Sequence, residues 1–206
     1  MSSITAVAAE LKDPEKRASR ARGAQLDLKI HAAARKILVE RGYDGLNFDA
    51  IAREAGVSRP TLYRRWPNKM RLLEELTVGG RSELSIILEA PDLKSSIAYL
   101  LQSVARHYME PWMRSATIGT FASGSIGDQY PSGAMEQAET AARLTVSLLV
   151  EKAKQQGTMR QDVDADALYD LAVGPVIYRI LFSFHGNIEE LHLHKLLDMI
   201  MWGVSA

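Results

Sequence analysis

The chain has 206 residues, of which 47% are apolar, so it can bury a substantial core and is not a disordered chain. It has no cysteine, which excludes disulfides and thiol chemistry, and no apolar run approaches the roughly 18 residues of a membrane-spanning helix. The formal net charge is zero, but residues 1–75 carry 15 Lys and Arg against 10 Asp and Glu, and the remainder has the opposite excess. A basic N-terminal third on an acidic body suggests a nucleic-acid-binding module joined to another domain.

Residues 1–23 have no sustained apolar stripe, and their second half is basic. We expect them to form a flexible basic arm, which either touches DNA phosphates and the minor groove or is a solvated tail without a role. Beyond the arm, apolar side chains repeat at helical spacing, so residues 24–41 are predicted to form an amphipathic helix that Gly42 ends.

Residues 47–69 have the pattern of two short helices joined by a tight turn. Asn47 suits the N-cap of the first helix, and Gly56 suits the left-handed position that stops it. Ser58 can cap the second helix, where Pro60 lies in the first turn and costs little. The second helix is rich in arginine and hydroxyl groups, as expected of a helix that enters the DNA major groove. A hairpin in an ordinary helical bundle is the alternative, but it has no need for so many arginines.

The polar residues of this segment are the predicted DNA contacts. Arg59 is the best candidate for a base contact, because arginine can donate two hydrogen bonds to guanine. Thr61 is expected at a base or a phosphate, and the remaining basic side chains are expected at phosphates, where they fix register. The full predicted DNA-binding set is Asn47, Arg53, Ser58, Arg59, Pro60, Thr61, Tyr63, Arg64, Arg65 and Lys69.

The rest of the chain is also helical in pattern, with no convincing period-two stretch. Helices are predicted over residues 69–88, 93–109, 136–156 and 189–202, with one more ending near Gly186. Gly79-Gly80 is expected to bend the first of these helices, and residues 119–133 are expected to form a loop. Asp162, Asp164 and Asp166 are expected to start a helix rather than bind calcium, and Gly174-Pro175 is expected to kink it.

Residues 26–75 resemble the TetR family of bacterial transcriptional regulators. The matching residues are Gly42, Tyr43, Gly45, Ile51, Ala52, Ala55, Gly56, Val57, Ser58, Thr61, Leu62, Tyr63 and Lys69. The resemblance implies an all-α homodimer of about nine helices per subunit. It implies an N-terminal three-helix helix-turn-helix head, placed at residues 24–70, and a C-terminal helical ligand-binding and dimerisation domain, placed at residues 71–206.

Two further sets of residues are proposed within the C-terminal domain, and each could equally be protomer core. Aromatic and methionine side chains line adaptable apolar cavities, so a small apolar or aromatic effector is expected near them. These candidates are Tyr99, His107, Tyr108, Trp112, Met113, Phe121, Met135 and Tyr178. The dimer interface is expected on the last two long helices, at Val173, Val176, Ile177, Ile180, Leu196, Leu197 and Ile200.

The sequence contains no Gly-rich phosphate loop, zinc-protease motif or nucleophile elbow, so we expect no enzyme and no cofactor. Glu190 and His194 are four residues apart, but His192 and His194 point to different faces, so no metal is expected. The favoured function is a cytoplasmic repressor that a small molecule releases from a palindromic operator in double-stranded DNA. The alternatives are a DNA-binding regulator or activator without a small-molecule ligand, and a helical enzyme or adaptor with an accidental motif.

Overall fold

The computed structural model describes residues 14–78, 84–124, 133–183 and 186–206. These ranges are all-α, as predicted, with ten α-helices where about nine were expected. The helices are α1 (Pro14–Gly45), α2 (Phe48–Ala55), α3 (Arg59–Tyr63), α4 (Lys69–Val78), α5 (Leu84–Glu89), α6 (Leu93–Tyr108), α7 (Met113–Gly124), α8 (Gly133–Gln155), α9 (Ala165–Ile177) and α10 (Glu190–Val204). A π-helical turn, Tyr178–Phe182, continues α9. Within the ranges described, no helix is both long and apolar enough to cross a lipid bilayer.

The chain divides into two compact units between Lys69 and Met70, which we call the head unit and the body unit. In the head unit, α1 and α2 pack against each other, and α3 follows α2 across a tight turn. The largest fully buried head side chains are Ile30, Ile37, Leu38, Leu46, Ile51 and Leu62.

The first helix starts earlier than the sequence pattern indicated. Residues 14–23, expected to belong to a flexible arm, are helical and continuous with the rest of α1. Alanine and arginine are strong helix formers, so this segment can be helical without an apolar stripe. The rest of the expected arm lies outside the described residues. Gly42 interrupts α1 as predicted, with φ of 66°, a left-handed conformation that glycine adopts without strain.

The core of the body unit is formed by α5, α6, α8, α9 and α10. Its most buried side chains, each at most 2% exposed, are Ile87, Ile97, Leu100, Leu101, Val146, Val150, Ala153, Met159, Ala172, Val176, Ile180, Leu181 and Ile200. Helix α6 is central because it packs against α5, α8, α9 and α10.

Two helix predictions in the body unit need correction. The long helix expected over residues 69–88 is described as two helices, α4 and α5, and Gly79-Gly80 lies outside the described residues. The loop expected over 119–133 is wrong at its start, because α7 continues to Gly124. Within α7, the buried Thr120 hydroxyl donates a hydrogen bond of 2.7 Å to the Ala116 carbonyl, so this polar group is satisfied inside the helix.

The start and end of α9 follow from its sequence. Asp164 caps it by accepting a hydrogen bond of 2.8 Å from the Ala167 N–H, which confirms the prediction that the aspartates start a helix. Pro175 lies inside α9 and has no N–H to donate to the preceding turn. The helix then widens into the π-helical turn, where the Ser183 N–H donates to the Tyr178 carbonyl at 3.0 Å.

Arg143 on α8 binds three carboxylates. Its guanidinium lies 3.0 Å from Glu139 on the same helix, 3.2 Å from Asp166 and 2.8 Å from Asp170. It also lies 4.5 Å from the ring centroid of Tyr169. Partial burial opposes the charged form, but the hydrogen bonds to these carboxylates outweigh burial and raise the pKa of Arg143. The side chain therefore links α8 to the first turns of α9.

Replacing Arg143 with alanine is expected to lower the free energy of unfolding by about 1–2 kcal/mol, because a charge network and a ring contact are lost together. Chemical denaturation of the full chain measures this loss. Lys94→Ala is the matched control, since Lys94 makes one exposed ion pair, 3.1 Å from Asp198. Equal losses for the two variants would contradict the network at Arg143.

Candidate nucleic-acid interface

The turn between α2 and α3 has the geometry of the predicted motif. The Ala50 N–H donates to Asn47 Oδ1 at 2.9 Å, which confirms Asn47 as the N-cap of α2. Gly56 has φ of 62°, a left-handed conformation in which another residue would be strained, so its predicted role is also confirmed. The Val57 N–H then donates to the Ala52 carbonyl at 3.0 Å, which closes the turn.

Ser58 occupies the N-cap position of α3, but its side chain does not cap the helix. Its hydroxyl shares a hydrogen bond of 2.8 Å with the Thr61 hydroxyl instead. Ser58 is therefore the N-cap residue, as predicted, but its side chain makes no hydrogen bond to the backbone of α3. Pro60 lies in the first turn of α3, as expected. Its missing N–H costs little there, because the N–H groups of the first turn have no acceptor within the helix.

Helix α3 buries one side and exposes the other. Leu62 is fully buried and Trp66, just beyond the helix, is 4% exposed, so these two side chains anchor the segment in the head core. Arg59, Tyr63 and Arg64 are exposed. The Tyr63 ring contacts the buried Phe48 ring edge-on at 4.8 Å while the residue stays 58% exposed. Such a contact holds the tyrosine in place at the surface of the motif.

Two predicted DNA-contact arginines have acidic partners that sequence reasoning missed. Arg59 forms an ion pair with Asp49 of α2, and Arg65 forms an ion pair with Asp27 of α1. Arg65 is half-buried, so it ties the end of α3 to α1 in addition to any role at DNA. Nothing in the sequence pattern marked Asp27 or Asp49, because both pairs join different helices.

The other predicted contacts are distributed around the motif. The Arg64 guanidinium donates to the Thr61 hydroxyl at 3.4 Å, and Arg53 is exposed in the last turn of α2. Lys69 Nζ lies 3.8 Å from the centroid of the Tyr43 ring, which positions its charge at the start of α4.

A further ion pair holds α1 against α2. Lys36 Nζ lies 2.6 Å from Glu54 Oε1. This hydrogen bond and the charge of Glu54, followed by the charge of Glu40, raise the pKa of Lys36. The ion pair therefore joins the first helix of the motif, α2, to the helix that precedes it, α1.

The body unit has a cavity of about 500 Å³ between α6 and α10. Its apolar lining consists of Ala98, Leu101, Met109, Pro111, Leu193 and Leu197. None of the seven predicted ligand residues whose side chains the structure describes lines this cavity. Tyr99, Phe121 and Tyr178 are exposed, whereas Trp112 and Met113 are buried.

Three predicted ligand residues remain: His107, Tyr108 and Met135. His107 and Tyr108 are half-buried and contact each other at 5.1 Å between ring centroids. The side chain of Met135 lies outside the described residues. The prediction grouped these residues by type, and helix geometry distributes them over different faces.

The predicted dimer set is wrong at four positions. Val176, Ile180, Leu197 and Ile200 are buried within the protomer's own core and cannot face a partner. Val173, Ile177 and Leu196 are half-buried. The large exposed apolar side chains of α9, its π-helical turn and α10 are Leu171, Tyr178, Phe182, Leu191, Met199 and Trp202. We call these six residues the apolar face.

Two protein-family models match this chain. Residues 30–76 match the family described as bacterial regulatory proteins, tetR family, and residues 90–200 match the tetracyclin repressor-like C-terminal domain. The chain belongs to the TetR family. It is therefore a DNA-binding transcriptional regulator and not an enzyme, as predicted, and its α2–turn–α3 segment is the family's helix-turn-helix.

Named relatives agree with this assignment. The uncharacterized HTH-type transcriptional regulator YdeS of Bacillus subtilis (strain 168) is 26% identical over 86% of this chain and 88% of its own. The DNA-binding transcriptional repressor TetR of Mycobacteroides abscessus is 39% identical over 26% of this chain and 28% of its own. A transcriptional regulator from Saccharomonospora viridis, solved in complex with choline, shares the fold with a TM-score of 0.64 and 19% identity, covering 89% and 99% of the two chains.

Within the described ranges, no three His, Asp or Glu side chains are grouped closely enough to hold a metal ion. His194 Nε2 lies 4.0 Å from Glu190 Oε1, so these two residues are neighbours on α10. They form a pair at the rim of the cavity between α6 and α10.

Proposed function

We propose that this regulator is a homodimeric repressor that leaves a palindromic operator when a small molecule binds the body unit. The observation that carries the DNA-binding part is the orientation of α3, which buries Leu62 and exposes Arg59, Tyr63 and Arg64 within the family's helix-turn-helix. The repressor part is supported by the M. abscessus relative, whose name states that activity. Because its partner is the bacterial chromosome, we expect it to act in the cytoplasm.

Each DNA contact follows from exposure and chemistry. Arg59 is proposed to donate to guanine, with Asp49 holding its guanidinium until DNA replaces that exposed ion pair. Arg53, Arg64 and the Tyr63 hydroxyl are proposed to bind phosphates on either side of the groove. Arg65 is the weakest candidate, because its bond to Asp27 already has a structural use.

Dimerisation is proposed to use the apolar face. On α9 and its π-helical turn, Leu171, Tyr178 and Phe182 are spaced by seven and four residues, which places them along one side of the helix. A two-fold dimer would present two α3 helices about 34–36 Å apart, one turn of DNA, and so would read a palindrome.

Release by a ligand is supported by the cavity in the body unit and by the choline complex of the S. viridis regulator, which has the same fold. Such a ligand would act by favouring a dimer geometry that no longer matches the operator. A regulator or activator without a ligand is the alternative, and a ligand screen against the operator complex separates the two.

The decisive experiment is selection of binding sites from random duplexes, with the wild-type chain and with Arg59→Ala. The wild type should select one short palindrome, and Arg59→Ala should lose roughly 1–3 kcal/mol on it while accepting other bases at one position per half-site.

Arg35→Ala removes an exposed charge from α1, outside the predicted set, and should keep the selected palindrome. If Arg59→Ala weakens binding to every duplex equally, Arg59 contacts a phosphate and not a base. If the wild type selects no palindrome, the proposed function is wrong.

A further inference from the structure

The cavity between α6 and α10 combines an apolar floor with a charged rim. The floor includes Leu101, Leu193 and Leu197, which belong to or pack against the core of the body unit. A volume of about 500 Å³ falls within the roughly 300–1,000 Å³ that small-molecule sites usually have. The cavity can therefore accept an organic molecule with an apolar portion.

The rim of the cavity is polar on both sides. It is formed by Gln102, Arg106, Glu110, Glu190 and His194. Glu190 lies in the first turn of α10, where the helix dipole favours a carboxylate. His194 lies one turn further along α10, within 4.0 Å of that carboxylate.

The charges of the rim favour a cationic ligand. With histidine neutral, two carboxylates face one guanidinium, so the rim carries a formal excess of one negative charge. An anion would meet both Glu110 and Glu190, and a neutral ligand would cover these carboxylates without pairing them, which costs free energy. A ligand with a positive nitrogen and an apolar body satisfies the rim and the floor together.

We propose that this cavity binds an amphipathic organic cation, whose nitrogen lies between Glu110 and Glu190 and whose apolar body rests on the leucine floor. The inference rests on the proposed function in one respect, since it makes this cavity the site of the releasing ligand. Neither the family assignment nor the set of ligand residues predicted from sequence includes these rim residues.

The location of the cavity gives the ligand a route to the dimer. Helix α10 lines the cavity with Leu193 and Leu197, and its exposed side carries Met199 and Trp202 of the apolar face. A ligand inserted between α6 and α10 shifts α10 and with it the surface proposed for the partner. Binding and dimer geometry are thereby coupled within one helix.

The test is calorimetry on the full chain at neutral pH with three probes of similar length that differ in the charge of the head group: phenylbutylamine, phenylbutanol and phenylbutyrate. The amine should bind about tenfold more tightly than either analogue. Glu110→Gln and Glu190→Gln should each weaken the amine roughly fivefold to tenfold, as expected for loss of one charge-assisted hydrogen bond. Glu189→Gln is the matched control and should bind normally, because Glu189 is adjacent but does not line the cavity.

Gln102→Lys adds a positive charge to the rim without altering the floor. It makes the rim formally neutral, so it should weaken the amine severalfold and remove the preference for the amine over phenylbutyrate. Equal binding of the three probes, a preference for phenylbutyrate by the wild type, or an amine preference that persists in both glutamine variants overturns the inference.

The selected operator provides the second measurement. Phenylbutylamine should weaken operator binding by the wild type and not by Glu110→Gln at the same concentration. Cavity-dependent binding that leaves operator affinity unchanged overturns the effector assignment. Failure of the proposed function is distinguishable, since it appears without any ligand as absence of operator binding.

Discussion

The double variant Met199→Glu/Trp202→Glu is expected to be monomeric and to bind the operator about 10²–10⁴-fold more weakly than the wild type. Trp202 is 94% exposed and Met199 is 73% exposed, so both changes leave the protomer core intact. Two carboxylates in an apolar interface would lose hydration without gaining partners. A monomer binds only one half-site, so it loses the increase in affinity that a dimer obtains by binding both half-sites at once.

Sedimentation velocity measures the assembly, and titration of the selected palindrome measures the affinity. Leu144→Glu is the control, because Leu144 is also an exposed apolar side chain but lies on α8, outside the apolar face. It should remain dimeric. A dimer of unchanged stability in the double variant would show that the partner binds elsewhere.

The exposure of Trp202 shows why the dimer prediction from sequence was wrong at four positions. An apolar residue on a helix marks either the protomer core or an interface, and periodicity alone does not separate the two. Val176 and Ile200 are apolar, as interface residues often are, but both side chains are buried in the protomer core. Trp202 lies two residues beyond Ile200 on α10 and faces solvent. Only the packing of α9 and α10 against α6 decides which side remains exposed.

The motif was more predictable because its signals are local. An N-cap such as Asn47 acts on the next turn, and the left-handed conformation of Gly56 is a property of one residue. Neither depends on distant packing. The ion pairs of Arg59 and Arg65 were missed because each joins two helices, and sequence spacing contains no information about such contacts.

The residues predicted for a ligand differ from those that line the cavity between α6 and α10, for a related reason. Tyr99 and Tyr178 were grouped because aromatic side chains often line cavities, yet both are exposed. The rim residues Glu110 and Glu190 are charged and lie 80 positions apart, at the end of one helix and the start of another. A prediction based on apolar and aromatic side chains does not include charged residues such as these.

Trp66→Ala is expected to abolish operator binding by unfolding the head unit. Trp66 is 4% exposed, and its ring centroid lies 5.7 Å from that of His31 on α1. Truncating a buried tryptophan costs about 3–5 kcal/mol. A small domain has a free energy of unfolding of roughly 5–15 kcal/mol, and a unit as short as the head unit belongs at the low end. The loss is therefore comparable to the whole stability of the unit.

The body unit has its own core and its own apolar face, so Trp66→Ala should remain a dimer while its operator affinity disappears. Hydrogen exchange should show fast exchange in α1–α3 and preserved protection in α6 and α9. Trp66→Phe keeps a ring in the same core and should retain operator binding at a reduced melting temperature. Intact operator affinity in Trp66→Ala would mean that α3 can bind DNA without the packing of Trp66 in the head core. Loss of the dimer in the same variant would mean that the two units do not fold independently.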